Sequence, residues 1–301
     1  IAYLAIDIHA RLCERQKRTD SQMVLSFHPN IVGHKNILCA GRLPNEEDRA
    51  AICRAQAVIL PQGCSGDLYR MSRKHCRHVF PNYDARFDFP GKLGQARLFQ
   101  KLGVAFPRTF PFETVSEYDE HFGEEAHGPI GFPCVFKSDW GGEGEGVLLI
   151  RASGDLEQAL ARARDDEQSG RKGFLLQEYI PSEGQSLRVA VIGDQLFSYW
   201  RIQQDPSQFL SSLKAGAFLE HEAAPELQQI GRDAVKAFCA KTGVNLAGFD
   251  LLFSHEAKAP SPLFLEINYF FGRRGLGGSL NYYELVDKAV RAWLKSVGLS
   301  L

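Results

Sequence analysis

The chain has 301 residues, 44% of them hydrophobic and 24% charged, which is too apolar for a disordered chain and long enough for two or three domains. Lys and Arg total 35 against 36 Asp and Glu, so the net charge is −1 and the chain as a whole exerts no general pull on nucleic acid or an anionic membrane. No apolar run approaches the ~20 residues that a membrane-spanning helix needs.

The chain opens on Ile1-Ala2-Tyr3-Leu4-Ala5-Ile6, which reads as a buried strand. Asp7 stops it, and it lacks the basic flank of a signal peptide. Residues 46–57 read as a helix with Asn45 as its cap, and 57–60 as a second buried strand. Together these describe a small open α/β domain over residues 1–90, punctuated at its end by Pro81-Asn82-Tyr83-Asp84 and Phe89-Pro90-Gly91. Cys13, Cys39, Cys53, Cys64, Cys76, Cys134 and Cys239 form no C-x-x-C pair, and their odd count and wide spacing point to a reducing, cytoplasmic setting. His75-Cys76-Arg77-His78 resembles half of a metal site, but no second ligand pair at zinc spacing accompanies it.

After Pro90-Gly91 a lysine-led helix is expected over 92–102. Leu156, Ala159, Leu160 and Ala163 predict a helix capped by Asp155 and ended by Gly170. Leu227, Ile230, Ala234 and Phe238 predict another, stopping at Thr242-Gly243, and Val286 to Val297 a third before Gly298. Strands are expected in pairs: 134–137 with 147–150, 187–192 with 195–202 around Gly193-Asp194, and 249–253 with 263–268. Hairpins separated by helices imply antiparallel α+β layers.

Three features carry chemistry. A strand ending at Lys137 runs into Ser138-Asp139-Trp140-Gly141-Gly142-Glu143-Gly144-Glu145-Gly146 and resumes at Val147. The glycines let backbone N–H groups approach phosphate oxygens, and Lys137 adds charge. The loop is neither a P-loop nor a Rossmann fingerprint, because it opens a strand and lacks G-x-x-x-x-G-K. A hairpin lid over a nucleotide fits it, as does a mobile surface hairpin. Next, Asp250, Glu266 and Asn268 interrupt apolar strand runs, with Glu266 and Asn268 on one face. Two carboxylates and an amide oxygen suit Mg²⁺, although alternation on a half-exposed sheet yields the same pattern. Last, hairpin register puts Arg188 opposite Tyr199 and Ser186 opposite Arg201, so the two arginines lie diagonally on one face, within reach of a common anion. Lys92, Lys214, Arg273, Arg274 and Ser279 are further candidates for holding anions.

The order of these features resembles the ATP-grasp superfamily, especially the branch of glutathione synthetase, D-alanine–D-alanine ligase and the ribosomal-protein glutamate ligase. The resemblance covers roughly residues 90–297. It implies an α/β N-terminal domain followed by an α+β ATP-grasp fold, whose two subdomains at 91–175 and 176–301 clamp ATP. It implies that Lys92 and Lys137 contact ATP phosphates and that Gly141, Gly142, Gly144 and Gly146 form the lid. Gln177, Glu178, Tyr179 and Ile180 would line the adenine, and Glu183 would hold the ribose. Arg188 and Arg201 would act on the transferred phosphate, while Asp250, Glu266 and Asn268 would bind magnesium, two ions being usual. Where many relatives have Asp, this chain has Ser186. Phe209 to Gly216 and Tyr269 to Arg274 also depart from the family pattern, both where substrate should bind. Lys214, Arg273, Arg274 and Ser279 are the substrate candidates.

The activity so implied is an ATP-dependent carboxylate–amine or carboxylate–thiol ligase working through an acyl phosphate. Its partners would be small-molecule carboxylates and amines, not nucleic acid or membrane, and a homodimer is left open. A small-molecule kinase on the same ATP site, suggested by Glu266-Ile267-Asn268-Tyr269-Phe270, and a non-catalytic nucleotide-binding protein are the alternatives.

Overall fold

The computed structural model describes residues 23–39, 41–123, 128–142, 144–205, 209–211, 213–254 and 260–301. The expected strand at residues 1–6 and Cys13 lie outside the described residues.

The first layer is parallel. Strands β1 (Val24–Ser26), β2 (Lys35–Asn36), β3 (Ala57–Ile59) and β4 (His78–Phe80) form a sheet in the order β2-β1-β3-β4. β1 and β3 are buried along their whole length, as strands of a covered parallel sheet are. Helix α1 (Glu46–Arg54) starts as expected: the Asn45 side chain accepts from Asp48 N–H, and the Asp48 carboxylate accepts from Asn45 N–H. It ends three residues earlier than its pattern suggests, because Ala55 is already extended on the way into β3. Helices α2 (Gly66–His75) and α3 (Asp84–Asp88) complete this part. Cys76 is buried, with its thiol directed at the carbonyls of Ala55 and His78.

Helix α4 (Gly91–Leu102) leads into a four-stranded antiparallel sheet. Its strands are β5 (Thr109–Phe112), β6 (Cys134–Ser138), β7 (Val147–Ile150) and β8 (Phe174–Glu178), in the order β5-β8-β6-β7. Helices α5 (Val115–Phe122) and α6 (Ser153–Gln168) cover it. Its core is one cluster in which Phe174 stacks between Phe112 at 5.2 Å and Phe136 at 5.0 Å. Asp155 is not the cap of α6. It is the third helical residue, and its carboxylate reaches back to accept from the N–H groups of Arg151 and Ala152.

The third sheet is also antiparallel. It runs β11-β10-β9-β12-β13, from β9 (Gln185–Ile192), β10 (Gln195–Ile202), β11 (Phe218–Glu220), β12 (Leu246–Ser254) and β13 (Ser261–Asn268). Helix α7 (Pro225–Thr242) ends at Gly243 as the sequence predicts, with φ +72°. Helix α8 (Gly278–Ser296) buries Tyr282, Val286, Val290 and Leu294. This sheet and the parallel sheet share one hydrophobic cluster, to which α4 contributes Leu98 and Phe99. Among the described residues no helix is long and apolar enough to cross a membrane.

Candidate active site

The sheet register builds the site. Arg188 on β9 pairs with Tyr199 on β10, as expected, and on its other side with Asp250 on β12. Asp250 in turn pairs with Glu266 on β13, next to a bulge. Residues directly opposite across strands share a face, so Tyr199, Arg188, Asp250 and Glu266 form one row across four strands. Two positions earlier on β12 is Gly248, opposite Asn268. A β-carbon there would lie 2.9 Å from Arg188 Nη1, so the absence of a side chain lets the guanidinium lie across the sheet.

Asp250 is the hub of the row. It accepts from Arg188 Nε at 2.5 Å and Nη2 at 3.0 Å, from Arg201 Nη2 at 2.8 Å and from Asn268 Nδ2 at 3.1 Å. Burial alone would raise its pKa, but the two guanidinium charges outweigh it and hold the carboxyl below the usual range. Burial would likewise lower the pKa of Arg188, but the charge of Asp250 outweighs it and the pKa lies above the ordinary value. Arg201 also donates to Ser186 Oγ at 3.1–3.2 Å, and Ser211 donates to the same oxygen at 2.6 Å. Ser186 therefore ties β9 to the segment before Lys214.

Lys137 stands on the smaller sheet. Lys137 is 8% exposed and donates to Gln177 Oε1 at 2.6 Å; Gln177 donates in turn to Thr109 Oγ1 at 2.8 Å. Burial lowers the Lys137 pKa to about 8, against the pull of Glu266, with a push from Lys92 and a weaker pull from Asp250. The ammonium thus lies within electrostatic reach of both acids on the large sheet. At the root of the glycine loop, Asp139 accepts from Leu93 N–H at 2.8 Å and clasps the first turn of α4. Gly91, with φ +69°, leaves room for that carboxylate; a β-carbon would lie 2.4 Å from its oxygens. Lys92 Nζ donates to the carbonyls of Trp140 and Gly141 at 3.3 and 3.4 Å, so it holds the loop. Gly141, Gly144 and Gly146 all have positive φ.

A cleft of about 190 Å³ unites Gly144 of the loop with Arg188, Arg201, Lys214, Asp250 and Asn268. Other expected residues lie elsewhere. Arg273 stacks over Tyr282 and Tyr283 at 4.8 and 4.6 Å, Arg274 and Ser279 are exposed, and none of the three lines the cleft. Glu178 is tied to Arg108, accepting its N–H and donating to its carbonyl, and Tyr179 and Ile180 are half-buried beyond it. Glu183 is exposed at φ +52°. Tyr199 and Gly248 belong to the site without standing in any of its motifs, while Leu210 and Ser211 come from the 209–216 segment that the resemblance places at the substrate. Tyr199 carries a signal, because it stands opposite Arg188 in the hairpin register. Gly248 joins the site through its contact with Arg188 across strands. A second cavity, of about 440 Å³, opens beyond the ends of β1 and β3. Its charged lining residue, Arg42, is already paired through two bonds with Asp48.

The oxygen donors limit where a cation can sit. Among the described residues no cluster of three His, Cys, Asp or Glu side chains is placed to hold a metal. Of the three expected ligands, Asp250 has both oxygens engaged by arginines and Asn268. Asn268 uses its amide nitrogen and keeps Oδ1, and Glu266 stands half-buried in the same row on the next strand. Glu266 and Asn268 Oδ1 suit a hard cation; Asp250 as placed serves the arginines.

Two antiparallel sheets that carry a buried lysine, a glycine loop and an arginine–carboxylate row are the architecture the sequence resemblance implies. A RimK-like ATP-grasp domain model matches residues 92–280. The chain belongs to the RimK-like ATP-grasp family. This RimK-like chain is 28% identical over 190 residues to a probable alpha-L-glutamate ligase of Shewanella amazonensis, covering 62% of this chain and 58% of that protein. It is 32% identical over 151 residues to a probable alpha-L-glutamate ligase of Xanthomonas campestris, covering 48% and 47%. The match thus spans less than two thirds of either relative. The fold is similar to a RimK domain ATP-grasp protein of Sphaerobacter thermophilus, with a TM-score of 0.60 at 15% identity over 89% of this chain and 98% of that one. It is also similar to the D-alanine–D-alanine ligase of Bacillus anthracis, with a TM-score of 0.56 at 15% identity over 84% and 85%. The N5-carboxyaminoimidazole synthetase of Staphylococcus aureus, solved with ADP, aligns with a TM-score of 0.61 at 12% identity over 97% and 75%. At these identities the structural likenesses concern the fold.

Proposed function

We propose that this protein is an ATP-dependent ligase that activates a small carboxylate as an acyl phosphate and transfers the acyl group to an amine or a thiol. The observation that carries this reading is the array of Arg188, Asp250 and Arg201, its Arg188–Asp250 pair buried, which opens into the same cleft as the glycine loop and lies within electrostatic reach of Lys137.

In this reading a substrate carboxylate oxygen attacks the γ-phosphorus of ATP. A new O–P bond forms as the bond to ADP breaks, and the incoming nucleophile then displaces phosphate at the acyl carbon. Such phosphoryl transfer depends on positioning and charge neutralisation. Arg188 and Arg201 face the transferred group, and Asp250 fixes their orientation. Each such contact is worth about 3 kcal/mol, or about 10²-fold in rate. Lys137 and Lys92 meet the phosphates, Lys92 exchanging its loop carbonyls for them. Gly141, Gly142, Gly144 and Gly146 cover the nucleotide and exclude water that would hydrolyse the acyl phosphate. Gln177, Glu178, Tyr179 and Ile180 line the base, and Glu183 meets the ribose. Magnesium would rest on Glu266 and Asn268, where it would neutralise phosphate charge. The protein would work in the cytoplasm on small molecules.

The test is phosphate release from Mg-ATP against a panel of carboxylates with amine and thiol acceptors. Release that requires both co-substrates, with an amide or thioester product, supports the ligase. Phosphate retained on an alcohol product would instead identify a kinase, and ATP binding without turnover a binding protein.

A further inference from the structure

The remainder of the cleft has a chemistry of its own. Leu210, Leu213, Leu265, Phe270, Phe271 and Tyr199 line it beside the arginines. Phe270 is 70% exposed, so an aromatic ring is held at the mouth of the cleft where solvation alone would favour a polar group. Its lining cations are Arg188, Arg201 and Lys214, and Asp250 offsets one of their charges, leaving a formal +2. Arg188 and Arg201, with Asp250 between them, give one net charge to the phosphoryl group in flight alongside Lys137, Lys92 and the cation, which leaves Lys214 for one donor carboxylate. Arg273 and Arg274, the other cations near the segment after β13, do not line the cleft, and the Arg273 guanidinium is committed to Tyr282 and Tyr283.

We infer that the acyl donor is a small monocarboxylate with an apolar, aliphatic or aromatic body. A second carboxylate would be set against leucine and phenylalanine side chains with no lining cation left to meet it. The volume of about 190 Å³ lies below the ~300–1,000 Å³ of pockets for drug-sized ligands, so the donor is of amino-acid size. Leu210 also couples the two halves of the cleft. A β-carbon on Gly144 would lie 2.8 Å from Leu210 Cδ1, so the wall that meets the donor's body also meets the nucleotide lid. This inference rests on the ligase reading and gives its acyl donor a substrate class.

The test uses the full chain with two readouts. Calorimetry in the presence of ADP and Mg²⁺ measures binding of leucine, phenylalanine, 4-methylpentanoate, glutamate and aspartate. Phosphate release from ATP is measured with the same five, each in the presence of the panel of amine and thiol acceptors. The expected result is that the three monocarboxylates bind at least about tenfold tighter than the two dicarboxylates and that they drive phosphate release. Tighter binding and faster release with glutamate or aspartate would overturn the substrate class and leave the ligase reading standing. Binding of the monocarboxylates without phosphate release would overturn the ligase reading and, with it, their role as donors. Phe270→Lys, at an exposed position that folding tolerates, should shift the glutamate-to-leucine ratio of kcat/KM by about tenfold towards glutamate. An unchanged ratio would show that this wall does not select the donor.

Discussion

Arg188 and Asp250 stand directly opposite each other on β9 and β12, and their side chains meet at 2.5 and 3.0 Å with only 6% and 4% of each residue exposed. A paired, doubly hydrogen-bonded charge is tolerable at this depth, whereas either charge alone is not. The pair is also the pivot of the site, since Arg201 and Asn268 bond to the same carboxylate.

Asp250→Asn removes the shared counter-charge and leaves two guanidinium groups in the cleft without it. Loss of one member of a buried pair costs about 3–5 kcal/mol. Urea unfolding should show a loss of that order, and turnover should fall together with the order of Arg188. A variant with wild-type stability would mean that the arginines find other partners.

Gly248→Ala tests the arrangement without touching a charge. Its β-carbon would meet Arg188 Nη1 at 2.9 Å and the Phe271 ring at 3.2 Å, so the guanidinium must move. A displacement near 1 Å at a reacting group costs about 10²-fold in rate. Turnover should drop by that order while ADP affinity stays within about twofold. Equal losses in both would mean that the change spreads beyond the arginine.

With Lys137 in the role proposed for it, nucleotide binding should depend on pH. Burial lowers its pKa from the ordinary 10.5 to about 8, while Glu266 and Asp250 pull it up and Lys92 pushes it down. The ligand-free protein should therefore gain stability as pH rises from about 8 to 10.5, because the unfolded chain binds the extra proton in that window. ADP affinity should move the other way. The protonated fraction of a group titrating near pH 8 falls about tenfold between pH 7 and 9, and binding that depends on the charge falls with it. Lys137→Met should bind ADP weakly at pH 7 and lose this pH dependence; a retained dependence would assign it to another group.

Glu266→Gln keeps the shape of β13 and removes the carboxylate in the row that, among the described residues, no arginine holds. Mg²⁺-dependent turnover should be abolished and the apparent affinity for Mn²⁺, followed by electron paramagnetic resonance, reduced at least about tenfold, with thermal unfolding unchanged. Near-normal Mn²⁺ binding would move the cation elsewhere.

Much of this molecule was legible in one dimension. The hairpin around Gly193-Asp194 fixes its register locally, so the facing of Arg188 to Tyr199 and Ser186 to Arg201 follows from counting residues. The ends of α7 and α4 were legible for a similar reason, since Gly243 and Gly103 take the left-handed conformation that stops a helix. Asp155 misled, because a carboxylate three residues into α6 does the work of a cap from inside the helix.

The motifs and their order, and therefore the family, were determined by the sequence alone, because glycine turns, strand alternation and hairpin register are set by neighbouring residues. The partner of each charge was decided only by the tertiary structure. Asp250 and Glu266 look equivalent along the chain, yet β12 lies between β9 and β13, so Asp250 meets the arginines first and Glu266 stands one strand further away. Arg273 sits between Gly272 and Arg274 in a run that looks built to hold an anion, and only the packing of α8 reveals that two tyrosine rings hold its guanidinium. Coulomb energy and desolvation depend on distances through space and on burial, and neither quantity is written in the spacing of residues along a chain.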